Sequence, residues 1–247
     1  MCYFHREENE KGDGMKYARR FTLMVTVWVA GCLSFSVNAD DHGDQPKALP
    51  MALWSTYEIP AGAKPSEIEA SLVEYLKAEE ARGFNNCSMY RHEFGSPRAF
   101  YTTCTFDDID HFARIMDGSP PAPTPDEPQL FGSHSDHLVM TTQQNMTKAP
   151  QYVLIAATTF APELSNAEMQ QKAGEFYSAY DEAFGNCNRY EHAWGPELAF
   201  YASCGFEKYA DFAAGVNRVM EIFEARLHTA NLMIQSHRDD ILVKVMD

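Results

Sequence analysis

The chain has 247 residues, 45% of them apolar, and carries a formal charge of −15. That much apolar material can build one large or two small domains and excludes wholesale disorder. So acidic a surface repels phosphate backbones and anionic membranes, which sets nucleic acid aside as a partner.

The first 39 residues read as an address. From Met15 a basic run, MKYARR, leads into the apolar FTLMVTVWVAGCLSFSV and then into Val37-Asn38-Ala39 before acidic residues. This is the layout of a secretory signal peptide. The apolar run is shorter than the roughly 20 residues a spanning helix needs, so the mature chain is expected to hold no transmembrane segment. Cleavage after Ala39 would leave residues 40–50 as an N-terminal linker and a periplasmic or secreted protein. It would remove 5 of the 20 basic and 4 of the 35 acidic residues, taking the charge to −16. Val29-Ala30-Gly31-Cys32 resembles a lipobox, and the alternative is a lipoprotein anchored through Cys32. Four cysteines lie beyond the leader, Cys87, Cys104, Cys187 and Cys204, an even number suited to an oxidising compartment.

A β-rich run at Leu53–Ile59 comes next. Ser66 and Glu69 have the spacing of a capping box, and Ile68, Leu72, Tyr75 and Leu76 follow at helical spacing until Gly83. A hairpin is expected over 86–94 and 99–106, turning at Gly95-Ser96-Pro97. A second helix carries Ile109, Phe112, Ala113 and Met116, and the proline-rich stretch 118–132 reads as an exposed loop. A strand at 137–140 closes the unit, which spans 51–143, and 144–150 reads as a linker. The order then repeats over 151–247. Strand 152–159 precedes a helix opened by Ser165 and Glu168, then a hairpin, a longer helix and a last strand at 241–245.

The two units are copies. Residues 84–113 align without a gap to residues 184–213, with thirteen of thirty positions identical. Among them are Cys87, Tyr90, His92, Gly95, Phe100, Tyr101 and Cys104, each with a partner one hundred residues later. Self-similarity at a fixed offset indicates duplication. The order β-α-β-β-α-β is that of the split, ferredoxin-like unit. Two such units in tandem resemble the dimeric α/β-barrel superfamily in fused form. That resemblance implies an α+β fold in which two four-stranded sheets close one pseudo-twofold barrel, with a single chain supplying what relatives build as dimers, hence a monomer. Two ferredoxin-like domains that do not close together are the other arrangement. No motif of a particular family is matched, so the resemblance implies no catalytic residue.

Hairpin register follows from the turn. Strands turning about Gly95-Ser96 oppose positions whose numbers sum to 191, which places Cys87 directly across from Cys104 and, one hundred residues on, Cys187 across from Cys204. Disulfides Cys87–Cys104 and Cys187–Cys204 are therefore expected. Alternation puts Tyr90 and His92 on the opposite face with Tyr101, and Tyr190 and His192 with Tyr201. One reading makes these a ligand pocket in each repeat, with His92 and His192 as proton carriers beside Tyr90 and Tyr190. A small aromatic or carbonyl ligand would suit such walls. The other reading packs the same side chains as core. The pairs His134/Asp136 and His237/Asp239 precede the last strand of each copy and serve either as turn devices or as oriented imidazoles.

No phosphate loop, nucleophile elbow or zinc-protease motif occurs, and the reading needs no cofactor and no metal. Two classes of function stay open: an exported small-molecule-binding protein, or a non-catalytic structural or interaction protein of the envelope. A cofactor-independent oxygenase or isomerase is a variant of the first.

Overall fold

The computed structural model describes residues 49–95, 98–118, 131–147, 149–227 and 231–246. The leader, Cys32, the turn residues 96–97 and the proline-rich segment 119–130 lie outside the described residues. The first half contains β1 (Met51–Glu58), α1 (Pro65–Arg82), β2 (Asn86–Phe94), β3 (Ala99–Phe106), α2 (Ile109–Asp117) and β4 (His134–Gln144). The second contains β5 (Tyr152–Phe160), α3 (Asn166–Phe184), β6 (Cys187–Trp194), β7 (Phe200–Phe206), α4 (Tyr209–Ile222) and β8 (Ile234–Met246). A π-turn at Phe223–Leu227 extends α4. No helix among the described residues is long and apolar enough to cross a membrane.

The eight strands close one antiparallel barrel in the order β1-β3-β2-β8-β5-β7-β6-β4. Each half contributes a four-stranded ferredoxin-like sheet. Two seams, β2 with β8 and β4 with β6, join the halves.

Strand alternation sorts the side chains onto two faces. On the outer face Cys87, Met89, Phe100, Cys104 and Phe106 pack under Ile68, Leu72 and Leu76 of α1. In the second half Cys187, Phe200, Cys204 and Phe206 pack under Met169, Phe176, Tyr177 and Tyr180 of α3. Both disulfides lie in these apolar layers, each bridging directly opposed strand positions. The Tyr177 hydroxyl, sunk in the second layer, donates to the carbonyls of Ala156 and Phe200 and contacts Thr158 Oγ1 at 2.9 Å.

Local signals act unevenly. Ser165 and Glu168 form the reciprocal capping box at α3. Ser66 and Glu69 do not: α1 starts earlier, with Lys64 as N-cap and Pro65 in the first turn, where a missing N–H costs nothing. Asp108 caps α2 by accepting from the His111 N–H at 2.7 Å. The closing strands begin earlier than their apolar cores suggest. His134 pairs with Tyr57 and His237 with Thr158, so both His-x-Asp pairs lie within strands rather than in turns ahead of them.

Gly95 and Gly195 do more than end strands. Both hold positive φ, 118° and 146°. A Cβ on Gly95 would come within 2.3 Å of Asp240 Oδ1 and 2.6 Å of the Asp239 carbonyl oxygen. One on Gly195 would meet the Asp136 carbonyl oxygen and His137 Nδ1 at 3.1 Å. Each hairpin end thus crosses the last strand of the other half at close range, and only glycine allows it. Gly62 has φ 83° but open space around it. Gly95→Ala is expected to cost more than about 2 kcal/mol in denaturant unfolding, and Gly62→Ala about 1 kcal/mol. Equal losses would show that the seam does not require the glycine.

Candidate functional site

The inner face of the barrel is not filled. A cavity of about 330 Å³ runs through it, at the small end of the range usual for ligand sites. Its wall carries Tyr90, Tyr101, Tyr190 and Tyr201, together with Trp54, His137 and a polar set that includes Asn188, Glu197, Arg238 and Asp240.

The tyrosines reach the lumen because the hairpin register sets Tyr90 opposite Tyr101 and Tyr190 opposite Tyr201. Each pair packs against the other half. Tyr190 and Tyr201 lie against Trp54, with ring centroids 4.8 and 5.2 Å away. Tyr90 and Tyr101 cluster with Ile155, Val153 and Leu242. The two tyrosine groups therefore share one lumen instead of lining a pocket in each repeat.

His92 and His192 share the strand face of Tyr90 and Tyr190, with no bulge between them. They stand on the seams, opposite Leu242 and Val139, and neither is among the lumen-lining residues. The ladder shifts between His92 and Phe94 on one seam and between Leu138 and Val139 on the other. These bulges lie beyond the histidines and re-aim the residues that follow. His92 Nε2 and His192 Nδ1 are buried with no hydrogen-bond partner among the described residues. Beyond the bulges Phe94 and Trp194 turn out to solvent, Trp194 being 76% exposed.

The sequence pattern did not place Trp54 or His137 in the pocket, yet the register ties them to the tyrosines. Thr103 shares the face of Tyr101, Trp54 pairs with Thr103, and His137 pairs with Trp54. Carrying the alternation across two more strands would have found both.

Ladder positions also show where the duplicated wall has diverged. Leu53 faces Cys104 as Leu154 faces Cys204, so Trp54 corresponds to Ile155. Val139 faces His192 as Leu242 faces His92, so His137 corresponds to Asp240 and Ser135 to Arg238. The four tyrosines are common to both halves, while the mouth and the bulky ring are not. Room is left where Ile155 replaces an indole.

Burial raises the proton affinity of Tyr190 and Tyr201, so both phenols stay protonated near neutral pH. Tyr190 accepts from Asn188 Nδ2 at 3.0 Å, and the Asn188 side-chain oxygen accepts from the N–H groups of Asn145 and Met146. That clamp holds the segment leading from β4 to β5 across one end of the lumen. At the other end the Tyr201 hydroxyl lies 3.4 Å from His137 Nδ1. Burial, above all, lowers the proton affinity of His137, and the nearby His192 and Arg238 add to this against Glu197. Arg238 Nε lies 3.2 Å from Asp240 Oδ2, and Arg238 Nη2 lies 3.9 Å from Glu197 Oε1.

The two His-x-Asp pairs face away from the lumen. His237 meets Asp239 at 3.0 Å, Thr158 at 3.0 Å and Tyr180 at 3.3 Å, and packs on Phe176 of α3. His134 stacks on Tyr57 and lies 3.4 Å from Asp136. Among the described residues no three His, Cys, Asp or Glu side chains converge as a metal site would require.

No protein-family model and no curated protein sequence matches the chain. Solved structures do resemble it. One is a candidate monooxygenase from Fusobacterium nucleatum, with a TM-score of 0.54 and 10% identity over 80% of this chain and 93% of that one. Another is an anthrone oxidase-like protein, with a TM-score of 0.49 and 8% identity over 79% and 91%. A third is the chlorite dismutase of Candidatus Nitrospira defluvii, with a TM-score of 0.49 and 10% identity over 80% and 92%. At 10% identity the first likeness speaks for the shared barrel and not for a shared reaction.

A lowered histidine pKa has a defined consequence for stability. The unfolded chain takes up the proton first as pH falls, so the contribution of neutral His137 is complete above the ordinary histidine value of 6.5. It is lost as pH falls through the lower folded value. His137→Gln is expected to flatten the fall in Tm between about pH 7 and pH 5. An unchanged slope would assign that fall to other groups.

Proposed function

We propose that this is an exported small-molecule-binding protein whose ligand occupies the barrel lumen among Tyr90, Tyr101, Tyr190, Tyr201 and Trp54. The observation that carries the reading is the open lumen itself. A barrel this narrow has side chains enough to fill it, yet about 330 Å³ stays free. Its lining combines aromatic walls with a few convergent polar groups, the usual composition of a ligand site. Single-chain closure of the barrel supports a monomer, because no second copy is needed to complete the wall. His92 and His192 support the seams in this reading, and His137 takes the place proposed for them as the proton-exchanging group.

The export half of the proposal rests on the leader at residues 1–39, with cleavage after Ala39 and lipidation at Cys32 as the alternative. Disulfide bonding in each half is the state an oxidising compartment maintains.

One observation favours a catalytic variant. Tyr201 and His137 form a hydroxyl–imidazole contact on the lumen wall, and an imidazole kept neutral can accept a proton from a bound phenol or carbonyl compound. A cofactor-independent oxygenase or isomerase would use that step.

Trp194→Phe leaves Trp54 as the only tryptophan among the described residues, a reporter inside the lumen. Titration with small aromatic and carbonyl compounds is expected to shift its emission saturably. Adding Ile155→Trp, which copies the ring of the first half into the second, is expected to abolish the shift while circular dichroism stays unchanged. Binding that survives Ile155→Trp would place the ligand elsewhere, and no response to any compound would favour the scaffold reading.

A further inference from the structure

We infer that the lumen is built for an organic cation, an ammonium head on a compact apolar body, held among the rings and facing Glu197 and Asp240. The inference deepens the reading of the lumen as a ligand site and rests on it.

The wall carries three permanently ionisable side chains, Glu197, Arg238 and Asp240. Two are carboxylates and one is a guanidinium, so the wall is formally negative by one charge. The guanidinium lies between the two carboxylates, its Nε 3.2 Å from Asp240 and its Nη2 3.9 Å from Glu197. An anionic ligand entering here meets two carboxylates against one guanidinium, and the Asp240 side chain is almost wholly buried. A cation meets a wall on which carboxylates outnumber the guanidinium.

His137 does not reverse this balance. It lies on the same wall, and burial works against its protonation. Lys244 stands at the opposite end of β8, donates to the Ala149 carbonyl at 3.3 Å, and is not among the lining residues. The potential along the lumen therefore falls toward the end where the hairpins cross, which orients a cationic head to that mouth.

The walls suit the same guest. Trp54, Tyr90, Tyr101, Tyr190 and Tyr201 are five rings around one cavity, and the faces of neutral aromatic rings attract cations. Burial keeps the phenols of Tyr190 and Tyr201 protonated, so they act through ring and hydroxyl dipole and not as counter-ions. The formal charge of −15 on the whole chain raises the local concentration of cations around the entrance.

Three isosteres separate charge from shape: choline, the neutral 3,3-dimethylbutan-1-ol and the anionic 3,3-dimethylbutanoate. In calorimetric titration of the full protein, choline is expected to bind about tenfold more tightly than the alcohol, with the carboxylate weakest. Glu197→Gln is expected to reduce the preference for choline several-fold, and Ile155→Trp to remove binding. Equal binding of choline and alcohol, a preference for the carboxylate, or a preference unmoved by Glu197→Gln would each overturn the cation assignment while leaving a lumen ligand. Choline binding undiminished in Ile155→Trp, or no binding of any of the three, would overturn the assignment and the lumen reading together.

Discussion

Everything distinctive about this protein depends on the two seams that join its halves. A four-stranded ferredoxin-like sheet has two faces and two edges, and helices cover only one face. Pairing β2 with β8 and β4 with β6 uses up the edges and turns the uncovered faces inward. The lumen exists because of that closure, and neither half encloses a cavity alone. The crossings are tight enough that Gly95 and Gly195 rest against the backbone of the opposing last strand. Those contacts fix Asp240 and His137, so the geometry of closure and the chemistry of one mouth are set by the same few residues.

Much of the architecture was legible in the sequence because duplication supplied two samples of each element. The offset of one hundred located both hairpins, and the turn-centred sum placed each cysteine opposite its partner. Period-two alternation then sent the cysteines to the helix side and the tyrosines to the other. The reading ran out where local rules meet tertiary contacts. His92 and His192 keep the register of Tyr90 and Tyr190 but stand at the seams, next to the bulges, where they fall outside the cavity lining. Trp54 and His137 were missed for a different reason: they enter the lumen through pairing with strands far away in sequence. Ser66 and Glu69 had the spacing of a capping box, but Pro65 offered an earlier start.

The duplicated wall also shows what each half has been free to change. All four tyrosines are retained, and the outer layers keep the disulfide and its aromatic neighbours. Divergence is concentrated at one mouth and at one bulky position: Trp54 against Ile155, His137 against Asp240, Ser135 against Arg238. A twofold lumen with identical halves would suit a symmetric guest. Here one side is filled by an indole and the other carries an ion pair, which gives the cavity a direction.

The way the halves meet has a consequence for assembly. Each seam is hydrogen-bonded pairing between a strand of one half and a strand of the other, and the covalent route between halves is the short segment from Gln144 to Tyr152. A strand on a seam makes the same bonds whether its partner belongs to its own chain or to a neighbour. Two molecules that exchanged halves would rebuild two complete barrels, with every ladder and both glycine crossings intact. Concentration and the reach of that connecting segment, not any new surface, would then govern whether the barrels stand singly or as an interlocked pair.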